Sequence, residues 1–379
     1  MKTYTAFCIA FACLFISCSK SPSDDGKIPD TDNGIRVDYT VILESGSNYE
    51  ATGLTGDLAS IQANSDALAF ETIASPLKTK DTSRDYITYR KKNNCTGEVS
   101  IYDYVNDSFV KKDVFLENSD CDLEVNSVIK TDAFVFLAYE VPDANVAATN
   151  YFVRKIDISS TEWSYIDMPL DEKPVELLFT NEKLVVLTKD VKNTNDYTVL
   201  VLNSDSGEEI HDIDLGQNVL AMLKKPDGNI LISYEDMHLV YSSNNTYNIL
   251  DEVRYETNTA PNFGVSQIKN FEANKKLYYT RQDNNSIYGF VPSVYDLQSK
   301  LIVLYYFENY LTEEQREFEF KIEKTTAIAY DEKNKLILIG YKKTGNSKGG
   351  LIRIKPEPSL TFIDNINLNG IPRAVTTLQ

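Results

Sequence analysis

The sequence contains only two histidines. His211 sits in Glu208-Glu209-Ile210-His211-Asp212 and His238 in Asp236-Met237-His238. Neither has a cysteine or a second histidine at ligand spacing, so both read as surface or packed side chains. The sequence holds no G-x-S-x-G, no H-E-x-x-H and no phosphate loop. Gly345–Gly350 lacks the strand–loop–helix context that a phosphate cradle needs. Asp and Glu total 56, and no pair stands out as an acid and base for glycoside hydrolysis. No catalytic residue, metal set or cofactor motif is therefore expected. Two groups of cations do stand out on a chain of formal charge -18. Lys78, Lys80, Arg84, Arg90, Lys91 and Lys92 fall in one run, and Lys342, Lys343 and Lys348 in another. Together they form the candidate ligand-binding face, suited to an acidic glycan or a lipid headgroup. The overall negative charge argues against nucleic acid, whose phosphates it would repel. Trp163 is the only tryptophan. Its ring could carry a sugar, and Tyr86, Tyr89, Tyr151 and Tyr288 are the substitutes. Most of the 24 tyrosines should instead pack between strands.

The first residues carry an address. A single Lys2 precedes the apolar run Ala6 to Ile16, which is too short to span a bilayer. Leu14-Phe15-Ile16-Ser17-Cys18 resembles a bacterial lipobox, with small Ser17 before the cysteine that becomes lipidated. Phe15 departs from the usual aliphatic residue. The resemblance implies a signal peptide over 1–17, acyl chains on Cys18 and stable membrane anchoring. Residues 18–35 then form a flexible tether of Ser, Pro, Asp and Gly. Ser21-Pro22-Ser23-Asp24-Asp25 is similar to the acidic export signal that Bacteroidota place after the lipidated cysteine. By that resemblance the protein sits on the outer membrane, with surface exposure as one arrangement. Removing Cys8 and Cys13 with the signal, and acylating Cys18, leaves Cys95 and Cys121. An even pair in an oxidising compartment reads as one disulfide, two free thiols being the other reading.

The elements that must position these residues are short strands. From Val37 onward, apolar runs rich in β-branched and aromatic residues alternate with Asn, Asp, Gly and Lys. Leu311 to Phe320 is the exception and reads as a turn or two of helix. A turn followed by an apolar strand recurs at Asn181–Val186, Asp227–Ile232, Asn274–Tyr279 and Lys333–Leu338, and more loosely at Thr131–Phe136. The leading large apolar residues Phe134, Leu184, Ile230, Leu277 and Leu336 advance by 50, 46, 47 and 59. Propeller blades of four strands have periods of about 40–50 residues. A second recurrence is an apolar strand ending in an acid or amide: Ile101-Tyr102-Asp103, Lys155-Ile156-Asp157, Val201-Leu202-Asn203 and Val294-Tyr295-Asp296.

These repeats predict an all-β chain, a β-propeller over 36–379 with seven four-stranded blades, six being the alternative. Labelling strands a to d from centre to rim puts strand a near 58–63, 125–130, 175–180, 219–224, 265–271, 325–330 and 371–378. One blade is shared by the two chain ends, with 38–44 and 49–54 as its c and d strands. The run 73–97 becomes a long b–c loop. Cys95 and Cys121 fall at neighbouring strand ends on one face of one blade. The repeat pattern resembles the broad YVTN-type propellers of bacterial secreted lipoproteins. A non-catalytic binding or scaffold module for an envelope protein or glycan is the expected function. A propeller enzyme of lactonase, lyase or glycosidase type, with acids at the central channel, is the alternative. Cys18→Ala is expected to release the chain from the membrane fraction; normal retention would remove the lipoprotein reading.

Overall fold

The computed structural model describes residues 37–117, 121–143, 148–244, 246–256, 259–265, 268–272 and 276–377. Residues 1–36, on which the expected signal peptide, the acylated Cys18 and the tether fall, lie outside the described residues. The chain builds seven antiparallel sheets. Blade 2 is Lys78–Asp81, Asp85–Lys91, Gly97–Asp103 and Ser108–Val114. Blade 3 is Glu124–Lys130, Phe134–Pro142, Thr149–Asp157 and Ser164–Leu170. Blade 4 is Lys173–Thr180, Lys183–Lys189, Tyr197–Asn203 and Glu209–Gly216. Blade 5 is Ala221–Lys224, Ile230–Ser233, Met237–Tyr241 and Ile249–Arg254. Blade 6 is Ile268–Glu272, Lys276–Gln282, Phe290–Asp296 and Leu301–Leu304. Blade 7 is Ile322–Asp331, Leu336–Lys343, Gly349–Lys355 and Thr361–Leu368. Strands within a blade pair in sequence order, and a strands of neighbouring blades contact one another around a central channel.

Blade 1 closes the ring. Its a strand is Ile371–Thr377 and its b and c strands are Val37–Ser45 and Asn48–Gly56. Ile61–Ala63 is its outermost strand, and Ile73–Ala74 pairs with the same c strand. This corrects three sequence expectations. The first two strands are b and c, not c and d. Residues 61–63 end the shared blade and do not open the next one. The run 73–97 is not a loop, because it holds the a and b strands of blade 2. The cause of the last error is chemical. Lys78–Asp81 reads KTKD, with no apolar residue and so none of the alternation that marks a strand; Asp81 instead accepts the Tyr104 hydroxyl and Lys80 pairs with Glu176. The short helix expected near 311–320 is present as a π-helical turn, Gln315–Phe320.

The acid or amide at or just after the end of the c strand has a structural task in five of the seven blades. Asp103 Oδ1 accepts the N–H groups of Val105 and Asn106, holding the c–d turn of blade 2. Asp57, Asn203 and Asp296 each take two turn N–H groups in the same way, and Asp157 takes that of Ser159. Such side-chain caps satisfy donors that a tight turn leaves unpaired. Backbone hydrogen bonds accordingly hold the Asp57 carboxyl below its ordinary range.

Contacts between blades are aromatic and ionic. Tyr278 of blade 6 stacks on Tyr330 of blade 7, centroids 3.9 Å apart. Lys155 of blade 3 pairs with Asp205, in the c–d turn of blade 4, at 2.7 Å. Cys95 and Cys121 form the expected disulfide, with Cα atoms 4.7 Å apart across 26 residues. It ties the b–c turn of blade 2 to the connection leading into blade 3. Closing a loop of that length stabilises by about 3 kcal/mol in the chain-entropy treatment.

His238 is packed, as its sequence context suggests. Its ring meets Tyr255, Phe263 and Tyr295 between blades 5 and 6, and Nδ1 stands 2.6 Å from the Tyr255 hydroxyl. Burial pushes its pKa down to about 4. The native state therefore keeps the imidazole neutral while the unfolded chain protonates near 6.5. Stability is full above pH 6.5 and falls as pH drops from 6.5 towards 4, by up to about 3 kcal/mol. Urea unfolding at stepped pH should show this fall, and His238→Gln should flatten that part of the profile. An identical slope in both chains would assign the loss to other groups.

Candidate functional site

The a–b and c–d turns lie on one face of the propeller; the b–c turns and d–a connections lie on the other. At the channel mouth on the a–b face, blades 2 to 5 enclose an open cavity of about 450 Å³. Each contributes the end of its a strand or the turn that follows. Lys80 and Asp81 come from blade 2, Lys130 from blade 3, Phe179 from blade 4, and Lys224 and Lys225 from blade 5. Met222, Leu178 and Ile129 form the apolar wall. Four ammonium groups thus meet around one opening of an acidic protein.

Most of these charges are already answered. Lys130 Nζ lies 3.1 Å from the Asp85 carboxylate, with both side chains nearly buried. Lys225 pairs with Asp227 at 2.9 Å. Lys80 reaches from blade 2 to Glu176 of blade 4 at 3.7 Å. Glu176 follows a bulge in its strand and accepts the Met222 N–H of blade 5 at 3.3 Å, so one carboxylate links three blades. Burial raises its pKa, and Lys80 works against that rise. Lys224 differs. Its Nζ donates to the Phe179 carbonyl at 2.8 Å and has no acidic partner among the described residues. Loss of water around it lowers its pKa. An amine so placed has N–H groups left over for an anion, and the partly dry surroundings strengthen that bond.

The cations singled out by sequence do not form one free face. Arg84 sits on the a–b face, 3.4 Å from Asp132. Arg90 forks onto Glu98 Oε1 at 3.1 and 2.8 Å. Lys91 donates to the Cys121 carbonyl, and Lys92 binds both Asp113 oxygens at 2.9 Å. Lys342 pairs with Glu323 at 2.7 Å, and Lys343 reaches the Glu319 carbonyl at 3.4 Å. Lys78 opens the a strand of blade 2, and Lys348 lies in the b–c turn of blade 7. Only Lys80 reaches the channel mouth. Tyr86, Tyr89, Tyr151 and Tyr288 are buried, so none offers an open sugar platform. Sequence reasoning missed Lys130, Lys224 and Lys225. A signal existed: Lys80, Lys130 and Lys224 all stand at or beside the end of an a strand, before the a–b turn.

Fold and site together define a seven-bladed β-propeller, closed by the pairing of its last described strand with its first, with four lysines around its channel mouth. No family model matches the chain, and no curated protein does. Solved structures match in shape. A Bacteroides fragilis protein named provisionally as a 6-phosphogluconolactonase shares 11% identity at a TM-score of 0.53. That match covers 93% of this chain and 100% of the other. A Bacteroides caccae protein of unknown function shares 14% at 0.42, covering 80% and 100%. Apo AztD from Citrobacter koseri shares 9% at 0.48, covering 90% and 98%. At these identities the likeness establishes the propeller and nothing finer.

Lys80→Met leaves Glu176 without its cation. The carboxyl should then favour its neutral form more strongly. A carboxyl with a raised native pKa stabilises the fold at low pH, and that contribution disappears as pH rises through the native value. Lys80→Met should therefore lose stability relative to the parent as pH climbs from about 4.3, the unfolded value, towards neutrality. Parallel urea profiles for the two chains would uncouple Glu176 from Lys80.

Proposed function

We propose that this chain is a lipid-anchored protein of the cell envelope whose propeller binds an anionic ligand at the channel mouth without converting it. The observation that carries the reading is Lys224, an exposed ammonium that donates to the Phe179 carbonyl and has no carboxylate partner among the described residues, on the rim of a cavity of about 450 Å³. A group in that state gains from an incoming carboxylate, sulfate or phosphate. Lys80, Lys130 and Lys225 line the same opening, each paired with a carboxylate.

The envelope location rests on Leu14–Cys18 and Ser21–Asp25. Acyl chains on Cys18 would hold the propeller at the outer membrane, with the tether letting the channel mouth turn towards its ligand. The resemblance to YVTN-type propellers belongs to the same reading. The enzyme alternative needs several inward acids acting together. The mouth offers Glu176, tied to Lys80 and to the Met222 N–H, and Asp81, which accepts the Tyr104 hydroxyl. Among the described residues no three of His, Cys, Asp or Glu converge on a point where they could hold a metal.

The test uses residues 36–379 on a surface, with neutral and acidic glycans and solubilised envelope proteins passed over it at two salt concentrations. An anionic ligand should bind, weaken with salt, and lose about tenfold or more in affinity to Lys224→Glu, the worth of one charge-assisted hydrogen bond. Undiminished binding by Lys224→Glu would remove the channel mouth as the site.

A further inference from the structure

We infer that the anion site continues into a neighbouring groove that holds a pyranose ring of an acidic glycan against Trp163. This rests on the channel-mouth reading and names its ligand class. The groove runs between blades 2 and 3 on the a–b face and encloses about 480 Å³. Lys130 lines both the groove and the channel mouth, so the two cavities abut.

Three features point to a sugar. Trp163, at the end of the c–d turn of blade 3, is half-buried: it packs on the core between blades 2 and 3 and also lines the groove. A ring held in this way is a rigid surface for the C–H face of a pyranose, and stacking needs no further ordering of the side chain. Polar groups surround it. Asp103 is fixed by the turn N–H groups of Val105 and Asn106 and by the Asn106 amide, so its carboxylate is pre-positioned. Ser108 and Thr161 add hydroxyls. Hydroxyls and a fixed carboxylate suit the polar ring edge of a sugar, and the aromatic ring suits its C–H face.

The third feature sets the charge. Ser108, Val110 and Lys112 alternate along the outer strand of blade 2, so all three face the groove. Lys112 has no ionic partner among the described residues, whereas Lys130 is occupied by Asp85. A carboxylate or sulfate on the stacked sugar would meet Lys112. A following residue of the same glycan would meet the channel-mouth ammonium groups past Lys130. A neutral glycan would leave Lys112 unanswered.

Because Trp163 is the only tryptophan, its fluorescence reads this groove alone. The experiment titrates residues 36–379 with an oligogalacturonate, a neutral galacto-oligosaccharide of the same length, and adenosine monophosphate. Calorimetry runs in parallel. The oligogalacturonate should give a saturable change in emission, weakened by salt. Lys112→Ala and Trp163→Phe should each lower its calorimetric affinity about tenfold, with unchanged circular dichroism. The neutral oligosaccharide should bind at least tenfold more weakly. Oligogalacturonate heat without any change in emission, and with Lys112→Ala unaffected, would overturn the groove while leaving the channel mouth standing. Binding unchanged by Lys224→Glu but lost in Lys112→Ala would overturn the channel-mouth reading instead. A response to adenosine monophosphate alone would overturn the glycan, and silence from all three ligands would overturn both.

Discussion

The pairing of the last strand with the first is the contact on which the ring depends. Ile371–Thr377 runs antiparallel to Val37–Ser45, and without it blade 1 would lack its inner strand and both flanks would be open edges. Polar bonds reinforce the seam. Tyr39 donates to Asp331 at 2.8 Å, from blade 1 to blade 7. Arg353, with 0% exposure, forks onto Asp364 at 2.7 and 3.0 Å and donates to the Asp57 carbonyl at 2.8 Å. Asp364 also takes the Ile61 N–H at 2.9 Å. A buried guanidinium so fully answered is costly to disturb, because removing it strands a buried carboxylate.

Closure also creates the site. Only a closed ring brings a strands from blades 2 to 5 to one opening, and only there do their terminal lysines converge. The charge that the chain carries as a whole is strongly negative, yet Lys224 stands at the mouth with no carboxylate partner among the described residues. Long-range repulsion is screened over about 8 Å at physiological salt, so the local cations govern a bound anion. The same geometry explains why Glu176 is singular. It sits where three inner strands approach, and Lys80 and the Met222 N–H hold it in place.

The repeated elements were legible because their causes are local. An acid or amide at the end of a c strand caps the turn that follows it, so Asp103, Asp157, Asn203 and Asp296 mark four blades in the bare sequence. Cys95 and Cys121 were legible because the repeat placed both at strand ends on one face of one blade. The blade 2 a strand was not legible. KTKD lacks the apolar alternation that betrays a strand, and its polar side chains find partners that lie elsewhere in the chain, Asp81 in the Tyr104 hydroxyl and Lys80 in Glu176. That single omission turned strand residues such as Arg90 and Lys91 into loop residues; they still end on the b–c face, while Lys80 and Arg84 lie towards the a–b face.

The sequence by itself determined the strand-rich repeat, the blade period, the turn caps, the disulfide partners and the sharing of one blade between the chain ends. Each follows from neighbours within one or two strands, or from cysteine number. The tertiary structure alone decided which strand closes the ring, which lysines keep a free charge, and where they meet. Lys224 looks like any other lysine until Phe179, from the preceding blade, covers one side of it and no acid arrives on the other. Trp163 is one aromatic among many until blade 2 sets Asp103 and Lys112 beside it. Those relations join residues of neighbouring blades, and only the packing of one blade on the next brings them together.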